Sequence, residues 1–438
     1  MSCFGVNTRA CGLTLGVVAA ALTGCGISAT HDASTTAKAT AQAASNTTTP
    51  TKAQPLAVVV TNSTRQADSY TVAIISDGSG KTVASATAHL PSVKLGSDLD
   101  LPLVSVSSTR AYFLDGDTKV RSLAPDGTTA DVTTIPEGAT DNVTFAVSLD
   151  DKRIAIGGIN PNPLSGATWV EDLHGATNRV HLFDFQGADA FRWPVGWVDG
   201  NLIVALRATL GCGGYGANIA SNVNNGGGGG GGGGVGGGGV GGGGVGGVGG
   251  GGVGGGGVGA GGVGFSTAIL GEYNCPGAYH IVNATNGAHL ANVCQSADRI
   301  NSGADDLIPV GPLTRNGVAC LDYNNGYGIA HWDGTHTVFS VQPVLRTFAC
   351  GISLDATQLA CSGNTGVYSS PAVLVKADHS VVSLGHHYSI LGWMDNDCML
   401  VSFDRDHLGI VAAQQNGMHI SIPFANADQV TMVGSFPA

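Results

Sequence analysis

The residues of this chain that could contact a ligand are aromatic, acidic and histidine side chains in segments rich in turn-forming residues. The most polar group is Asp404-Arg405-Asp406-His407, in which two carboxylates flank a guanidinium and one of them adjoins an imidazole. Aromatic rings mixed with carboxylates suit a carbohydrate or a peptide better than an apolar ligand. We predict that the walls of such a site are formed by Trp169, Glu171, Asp172, His174, Tyr215, Tyr273, Tyr323, Tyr327, Tyr368, Asp404, Asp406 and His407. The alternative is that each of these residues only anchors its own loop.

Known catalytic motifs are absent from the sequence. It contains no Gly-x-Ser-x-Gly elbow, no phosphate-binding loop with its lysine and no His-Glu-x-x-His segment. Acidic pairs such as Asp395 and Asp397 stand in predicted turns, where aspartate accepts hydrogen bonds from its own backbone. His386 and His387 have no acidic neighbour close in sequence, which argues against a zinc site there. The sequence therefore predicts no catalytic residue, no metal and no cofactor.

Six short apolar segments, each preceded by a tight polar turn, repeat along the chain. Aligned, they place six residues at equivalent positions: Phe113, Ile156, Val204, Cys320, Cys361 and Val401. Apart from one long insertion, successive positions are 43, 48, 41 and 40 residues apart, which is the length of a propeller blade. A four-stranded sheet of this kind buries both of its faces only by stacking on similar neighbours. The pattern therefore predicts an all-β fold, a β-propeller.

Strands left over at the two ends of the chain determine the predicted number of blades. Leu56–Asn62, Tyr70–Ser76 and Lys81–Ala88 have no partner before them, and Gln429–Phe436 has no strand after it. Joined, they complete a seventh blade, with six or eight blades as the alternatives. This closure resembles the velcro of WD40-like and TolB-like propellers, although the Gly-His and Trp-Asp signatures of WD40 repeats are absent. The resemblance implies a fold and no particular activity.

The largest irregularity is Gly226–Gly264, which contains 31 glycines and seven valines in 39 residues. Glycine loses the most backbone freedom on ordering, so we predict a disordered loop. It separates the second strand (Leu202–Leu206) from the third (Tyr279–Asn283) of the fourth blade, and Asn160–Asn178 is a predicted long connector at the same place in the third blade. Such connectors emerge on one face, which we therefore expect to bind ligands. The alternatives for the glycine-rich segment are self-association, threading into the cell wall, or a tolerated insertion.

The N-terminus predicts export from the cytoplasm. The apolar run Leu13–Leu22 is too short to span a bilayer and is typical of a signal peptide. Leu22-Thr23-Gly24-Cys25 resembles the lipobox of bacterial lipoproteins, which implies cleavage after residue 24 and acylation of Cys25. Residues 25–55, rich in Ala, Ser and Thr, predict a disordered tether before a propeller at 56–438. We therefore expect a lipid-anchored extracytoplasmic protein on the cell membrane or outer membrane; an ordinary secretory signal is the alternative.

Seven cysteines remain after the predicted signal peptide and the predicted lipid site. Cys212 and Cys275 flank the glycine run, and Cys350 and Cys361 face each other across a predicted hairpin. We predict a disulfide within each of these two pairs, with buried free thiols as the alternative. The pairing of Cys294, Cys320 and Cys398 is left open.

The charge of the chain limits the classes of partner. Its net charge is −12, and no stripe of basic residues is present, which argues against a nucleic-acid partner. We predict a membrane-anchored, non-enzymatic propeller that binds a protein, peptide or glycan through one loop face. The alternatives are a propeller enzyme acting on glycans, a quinone-dependent sugar dehydrogenase, and a structural envelope protein.

Overall fold

The computed structural model describes residues 55–61, 68–77, 79–92, 101–175, 177–187, 191–207, 276–294, 307–309, 312–322, 326–339, 347–363, 372–385, 389–402, 406–413, 418–424 and 430–436. The predicted signal peptide and the glycine-rich segment lie outside these residues, and so does the predicted tether apart from residue 55. The same holds for the following predicted site residues: Cys25, Cys212, Cys275, Tyr215, Tyr273, Tyr323, Tyr368 and Asp404.

The described residues form seven antiparallel sheets of four strands each, so the predicted seven-bladed β-propeller is confirmed. Blade 1 contains β1 (Leu56–Thr61), β2 (Ser69–Ser76), β3 (Thr82–His89) and β28 (Thr431–Phe436). Blade 2 contains β4 (Val104–Val106), β5 (Ala111–Asp115), β6 (Lys119–Leu123) and β7 (Thr129–Thr134). Blade 3 contains β8 (Asn142–Val147), β9 (Arg153–Pro161), β10 (Leu164–Asp172) and β11 (Val180–Gln186).

The remaining four blades follow in chain order. Blade 4 contains β12 (Arg192–Val198), β13 (Asn201–Arg207), β14 (Pro276–Val282) and β15 (His289–Val293). Blade 5 contains β16 (Leu307–Pro309), β17 (Gly317–Asp322), β18 (Gly326–His331) and β19 (His336–Phe339). Blade 6 contains β20 (Thr347–Ile352), β21 (Leu359–Gly363), β22 (Ala372–Val375) and β23 (Val381–Gly385). Blade 7 contains β24 (Ser389–Trp393), β25 (Cys398–Ser402), β26 (His407–Ala412) and β27 (Met418–Pro423).

Helical structure in the described part of the chain is a 3-10 turn, Pro136–Ala139, which joins blade 2 to blade 3. Among the described residues, no helix has the length and apolar character needed to cross a membrane.

The ring closes by pairing of the two ends of the chain, as predicted. β28 runs antiparallel to β1, with Leu56 opposite Phe436 and Val60 opposite Thr431. First strands of neighbouring blades also contact one another: β28 with β4, β4 with β8, β8 with β12, β20 with β24, and β24 with β28. The first strand of each blade therefore lies nearest the central axis, and β28 takes that position in blade 1.

The core consists of apolar layers between successive blades. The six residues aligned from the sequence all lie on second strands, are at most 1% exposed, and each packs in the layer between its own blade and the preceding one: Phe113, Ile156, Val204, Cys320, Cys361 and Val401. A sheet covered on both sides buries both faces of its strands, which explains why second strands are almost wholly apolar. The alignment of these positions is confirmed.

The prediction for the third blade was partly wrong. The predicted connector Asn160–Asn178 contains a nine-residue strand, β10, and the turn between β9 and β10 is only Asn162-Pro163. The strand that follows the predicted connector, β11, is therefore the fourth strand of blade 3, and Arg192–Val198 begins blade 4. The sequence concealed β10 because this strand follows a turn-like Asn-Pro-Asn-Pro run and its first half contains the small and polar residues Ser165-Gly166-Ala167-Thr168.

Two disulfides connect described cysteines. Cys350 and Cys361 stand directly opposite on β20 and β21, with Cα atoms 4.1 Å apart, and the predicted bond between them is present. Cys294, at the end of β15, is bonded to Cys320 on β17, with Cα atoms 5.9 Å apart. This second bond links blades 4 and 5, a pairing that the sequence left open.

Strand direction gives the propeller two distinct faces. We call the turn face the side on which first and second strands are joined, as at Asp199-Gly200, and third and fourth strands are joined, as at Trp332–Gly334. We call the connector face the opposite side, on which second and third strands are joined, as at Asn162-Pro163. Turn-face residues between first and second strands lie closest to the axis, because they join the innermost strand to its neighbour.

Candidate binding site at the turn face

The predicted site residues that the structure describes do not come together. Asp406 and His407 lie at the start of β26 on the connector face. Asp172 ends β10 and His174 follows it, so both lie on the turn face. The Asp172 carboxylate accepts hydrogen bonds from Thr177 Oγ1 (2.8 Å) and Asn178 Nδ2 (2.6 Å), which fixes its own turn.

Two predicted residues occupy places that the loop prediction did not anticipate. Tyr327 is 4% exposed and packs in the apolar layer between blades 5 and 6, so it is a core residue and not a loop residue. Trp169 and Glu171 lie within β10 and not in a connector. Trp169 is half-buried beside the apolar layer between blades 2 and 3.

A cavity of about 930 Å³ opens on the turn face. Turns from five successive blades line it: Ser108-Thr109, Leu149–Asp151, Val198-Asp199, Arg315-Asn316 with His331–Asp333, and Asp355. Each segment except His331–Asp333 joins a first strand to a second strand, so the lining lies near the axis on the side of blades 2 to 6. We call this the turn-face cavity.

The lining turns have backbone conformations that their sequences favour. Asp199 and Gly200 both have positive φ, 46° and 76°, as a two-residue hairpin requires. Ser148 Oγ donates to Asp150 (2.7 Å) and accepts the backbone N–H of Arg153 (2.9 Å). The Ser-Leu-Asp sequence recurs at Ser353, whose Oγ makes the same two kinds of hydrogen bond.

Hydrogen bonds between neighbouring blades hold the rim of the turn-face cavity. Asp151 accepts hydrogen bonds from the Thr109 hydroxyl and, at 2.9 Å, from the Tyr112 hydroxyl of blade 2. Burial, followed by these interactions with Asp151, raises the pKa of Tyr112, so it remains a donor. Arg153 Nη2 donates to the Gly200 carbonyl (2.8 Å), which links blade 3 to blade 4. The rim is therefore organised before any ligand binds.

Blades 5, 6 and 7 continue the same rim. Asn316 donates from Nδ2 to the Leu354 carbonyl of blade 6. Asn396 of blade 7 accepts the backbone N–H of Asp355 at its Oδ1 atom (2.7 Å). Gln358 Nε2 donates in turn to the Asn396 carbonyl (3.1 Å).

Arg315 crosses the mouth of the turn-face cavity. Its Nη2 atom donates to Ser108 Oγ at 3.3 Å, so a side chain from blade 5 reaches a turn of blade 2. The preceding residue, Thr314, is fixed by the buried Trp332, whose Nε1 atom donates to the Thr314 carbonyl (2.9 Å). This cation counterbalances part of the acidic lining.

The lining of the turn-face cavity is predominantly acidic. Its described lining includes five aspartates against one arginine and one histidine: Asp150, Asp151, Asp199, Asp333 and Asp355. The hydrogen bond from Ser148 lowers the pKa of Asp150, and hydrogen bonds from Thr335 lower the pKa of Asp333. Lys152 Nζ lies 3.2 Å from Asp150, so one carboxylate has an ion pair outside the cavity. A concave acidic surface of this kind concentrates field lines and attracts cations.

A second cluster contains atoms that could in principle bind a metal ion, and it lies outside the turn-face cavity. Asp77, Asp395 and Cys398 approach one another closely enough to surround an ion. Cys398 is already in a disulfide, so its sulfur is not a thiolate ligand. The Asp395 carboxylate accepts the backbone N–H of Asp397 and of Cys398, both at 2.7 Å. These contacts give Asp395 a structural role in its turn.

Sequence reasoning missed the turn-face cavity because it followed the long connectors. The signal that could have revealed it is the polar turn before each aligned strand. Those turns contain Asp151, Asp199, Asn316 and Asp355, four to six residues before the aligned residue of the following strand. A residue repeated at corresponding places in a ring lies at the same end of the axis in every blade.

Comparisons with known proteins concern the fold alone. No family model and no curated protein matches the sequence. Similar solved structures include an oligogalacturonate lyase in complex with manganese, with 6% identity over 76% of this chain and 79% of that chain and a TM-score of 0.43. TolB from Acinetobacter baumannii has 9% identity over 87% of this chain and 67% of that chain, with a TM-score of 0.35. The β-propeller domain of the trilobed protease from Pyrococcus furiosus has 10% identity over 75% of this chain and 86% of that chain, with a TM-score of 0.37.

Proposed function

We propose that this protein is a non-enzymatic binding module that captures a basic polypeptide segment in its turn-face cavity. The observation that carries the proposal is the acidic lining supplied by turns of five blades. A volume of about 930 Å³ is at the upper end of the range of ligand-binding cavities, and it accommodates several side chains.

A lysine- or arginine-rich segment fits both the charge and the surface of this cavity. Long cationic side chains place their methylene groups on apolar surface while the charged end meets a carboxylate. Leu149, Val198 and Trp332 provide apolar surface among the lining aspartates. Complementary charge accelerates association, so such a partner would bind quickly and in a salt-dependent way.

The segment that would carry the proposed lipid anchor enters the propeller on the turn face, which also contains the proposed binding site. β1 begins at Leu56 on the turn face, opposite the end of β28. A tether from Cys25 would therefore join the propeller beside the cavity. A flexible chain of residues 26–54 would have a root-mean-square length of roughly 30 Å, enough space for a polypeptide between membrane and propeller.

The binding proposal is tested with fluorescein-labelled decalysine and decaglutamate and the purified mature protein, by fluorescence anisotropy at low and high salt. The double variant Asp199→Asn/Asp333→Asn removes two lining charges and keeps the turns, because asparagine tolerates positive φ and retains an acceptor oxygen. We expect decalysine affinity to fall by roughly three- to tenfold.

The matched control is Asp126→Asn/Asp378→Asn. These aspartates lie in turn-face turns outside the cavity and accept backbone hydrogen bonds as Asp333 does, at 2.9 Å from Thr128 and from Ser380. The control should bind decalysine like the wild type. Equal losses in the two double variants, or equal affinity for decaglutamate, would contradict the proposal.

The anchor is tested separately by cell fractionation. Wild-type protein should be in the membrane fraction with acyl mass on Cys25, and Cys25→Ser should lack that mass and leave the membrane fraction. Membrane association of Cys25→Ser at the wild-type level would contradict lipid anchoring without affecting the binding proposal.

A further inference from the structure

A second concave surface lies on blade 3, away from the turn-face cavity. It has a volume of about 650 Å³ and lies between the outer strands of blade 3 and Asp141, just before the blade's first strand. Its lining includes the side chains of Asp141, Asn160, Ser165, Trp169, Asp184 and Gln186. We call it the blade-3 groove.

Strand register explains the shape of the blade-3 groove. Asn160, Ser165 and Gln186 are directly opposite one another on β9, β10 and β11, and they form one polar row. Residues two positions along a strand point to the same face, so the adjacent row on this face is Gly158, Ala167 and Asp184. Small side chains in the second row leave a trough beside the polar row.

Trp169 forms the other wall of this trough. It stands opposite Ile156 and His181 in the third row of the same face. A Cβ atom on Gly158 would come within 3.1 Å of the Trp169 ring, so the ring closes directly over the glycine. A side chain at Gly158 would therefore push the Trp169 ring away by a few tenths of an ångström.

The Trp169 ring is held in place by Arg179 and His181. The Arg179 guanidinium lies 4.7 Å from the ring centroid, and the His181 ring lies 6.2 Å away in an edge-on arrangement. Arg179 is itself bonded to Glu137 and lies 3.7 Å from Glu171. A ring fixed in this way loses little conformational freedom when a ligand stacks on it.

The polar groups around the trough have hydrogen-bonding capacity in reserve. Asn160 Oδ1 accepts the backbone N–H of Asn162 (2.9 Å), which orients the amide and leaves its Nδ2 group as a donor. Asp184 accepts from His181 at Oδ1 (2.8 Å), and its side chain is 73% exposed, so its other oxygen faces solvent. Gln186 is exposed and offers both a donor and an acceptor.

We propose that the blade-3 groove binds a neutral or N-acetylated oligosaccharide. The apolar face of a sugar ring would pack on the part of the Trp169 side chain that Arg179 and Gly158 leave exposed, and its hydroxyls would bond to the amides and carboxylates of the opposite wall. The described lining of the groove contains two carboxylates and no lysine or arginine, and Arg179 beside the Trp169 ring is paired with Glu137, so phosphorylated, sulfated and acidic glycans are disfavoured. This site is independent of the proposed function at the turn face.

The test uses the mature protein on an array of neutral, N-acetylated, sulfated and sialylated glycans, followed by titration of the best-retained neutral glycan. Gln186→Ala removes an exposed hydrogen-bonding group, and we expect affinity to fall roughly two- to tenfold. Trp169→Ala removes the stacking surface, and we expect a loss of roughly tenfold or more. Near-UV circular dichroism establishes whether Trp169→Ala is folded, and Gln186→Ala supplies the test if it is not.

The matched control is Asp199→Asn/Asp333→Asn, which alters the turn-face cavity and should bind the glycan like the wild type. The proposal would be overturned if the protein bound none of the neutral or N-acetylated glycans on the array. Unchanged affinity in the folded variants of the groove, or preferential retention of sulfated or sialylated glycans, would overturn it as well.

Discussion

Replacing Glu171 by methionine should stabilise the fold at neutral pH, although it removes a buried ion pair. The Glu171 side chain is only 1% exposed, and neither carboxylate oxygen accepts a hydrogen bond from the described residues. Arg179 Nε lies 3.7 Å from Oε2, but the same guanidinium is also bonded to Glu137. Glu171 therefore has a shared countercharge and no hydrogen bond to replace its water.

The magnitude follows from opposing contributions. Attraction across 3.7 Å amounts to about 4 kcal/mol at an effective dielectric constant of about 20. Desolvation of a buried carboxylate is unfavourable by several kcal/mol, and repulsion from Glu137 and Asp172 adds to it. Burial dominates and raises the pKa of Glu171 despite Arg179. We expect methionine, which is apolar and flexible, to increase the free energy of unfolding by about 1 kcal/mol at pH 7.

The effect should depend on pH in a defined direction. A raised native pKa means that the folded protein holds this proton more tightly than the unfolded chain does. The unfavourable contribution is therefore absent below the unfolded pKa of about 4.3 and develops as the pH rises through the native pKa. The gain from Glu171→Met should be small at pH 4 and larger at pH 7.

Guanidinium unfolding followed by tryptophan fluorescence at the two pH values measures the effect. The control is Glu137→Met, since Glu137 makes the hydrogen-bonded ion pair with Arg179 and is 20% exposed. It should lower the free energy of unfolding at pH 7, opposite in sign to Glu171→Met. If Glu171→Met loses as much stability at pH 7 as Glu137→Met, the desolvation argument is refuted.

Three other substitutions test the fold by urea unfolding. Asp151→Ala removes the acceptor of two hydroxyl groups and leaves alanine at φ 60°, so the free energy of unfolding should fall by about 2–3 kcal/mol. A change within error would contradict a stabilising role for these hydrogen bonds between blades 2 and 3. Gly287→Ala places a Cβ atom 2.4 Å from the Leu182 carbonyl oxygen at φ 71°, and we expect the free energy of unfolding to fall by at least about 2 kcal/mol. Unfolding like that of the wild type would contradict this expectation. Cys350→Ala/Cys361→Ala opens a bond across 11 residues and should lower stability by about 3 kcal/mol under oxidising conditions, whereas reduced wild type and variant should be alike.

The fold could be predicted where strands are buried on both faces. Phe113 and Ile156 belong to such strands, and their apolar runs recur at blade spacing. β10 could not be predicted in this way, since one of its faces forms the blade-3 groove and carries Ser165, Ala167 and Trp169. A strand that lines a groove lacks the apolar pattern that identifies buried strands. The register that reveals the groove exists only once β10 is paired with β9.

The turn-face cavity could not be predicted from the longest connectors, because the distance of a loop from the axis depends on which strands of the blade it joins. A turn between first and second strands begins at the innermost strand, whereas a connector between second and third strands begins about 5 Å farther out. Short turns repeated in successive blades therefore converge, as Asp151, Asp199 and Asp355 do, while residues such as Asp406 remain at a wider radius on the other face. Charged residues repeated in the short turns therefore influence the electrostatic potential near the axis more than one long insertion in a single blade does. For a propeller sequence, the turns that precede the aligned second strands should thus be compared before the longest loops.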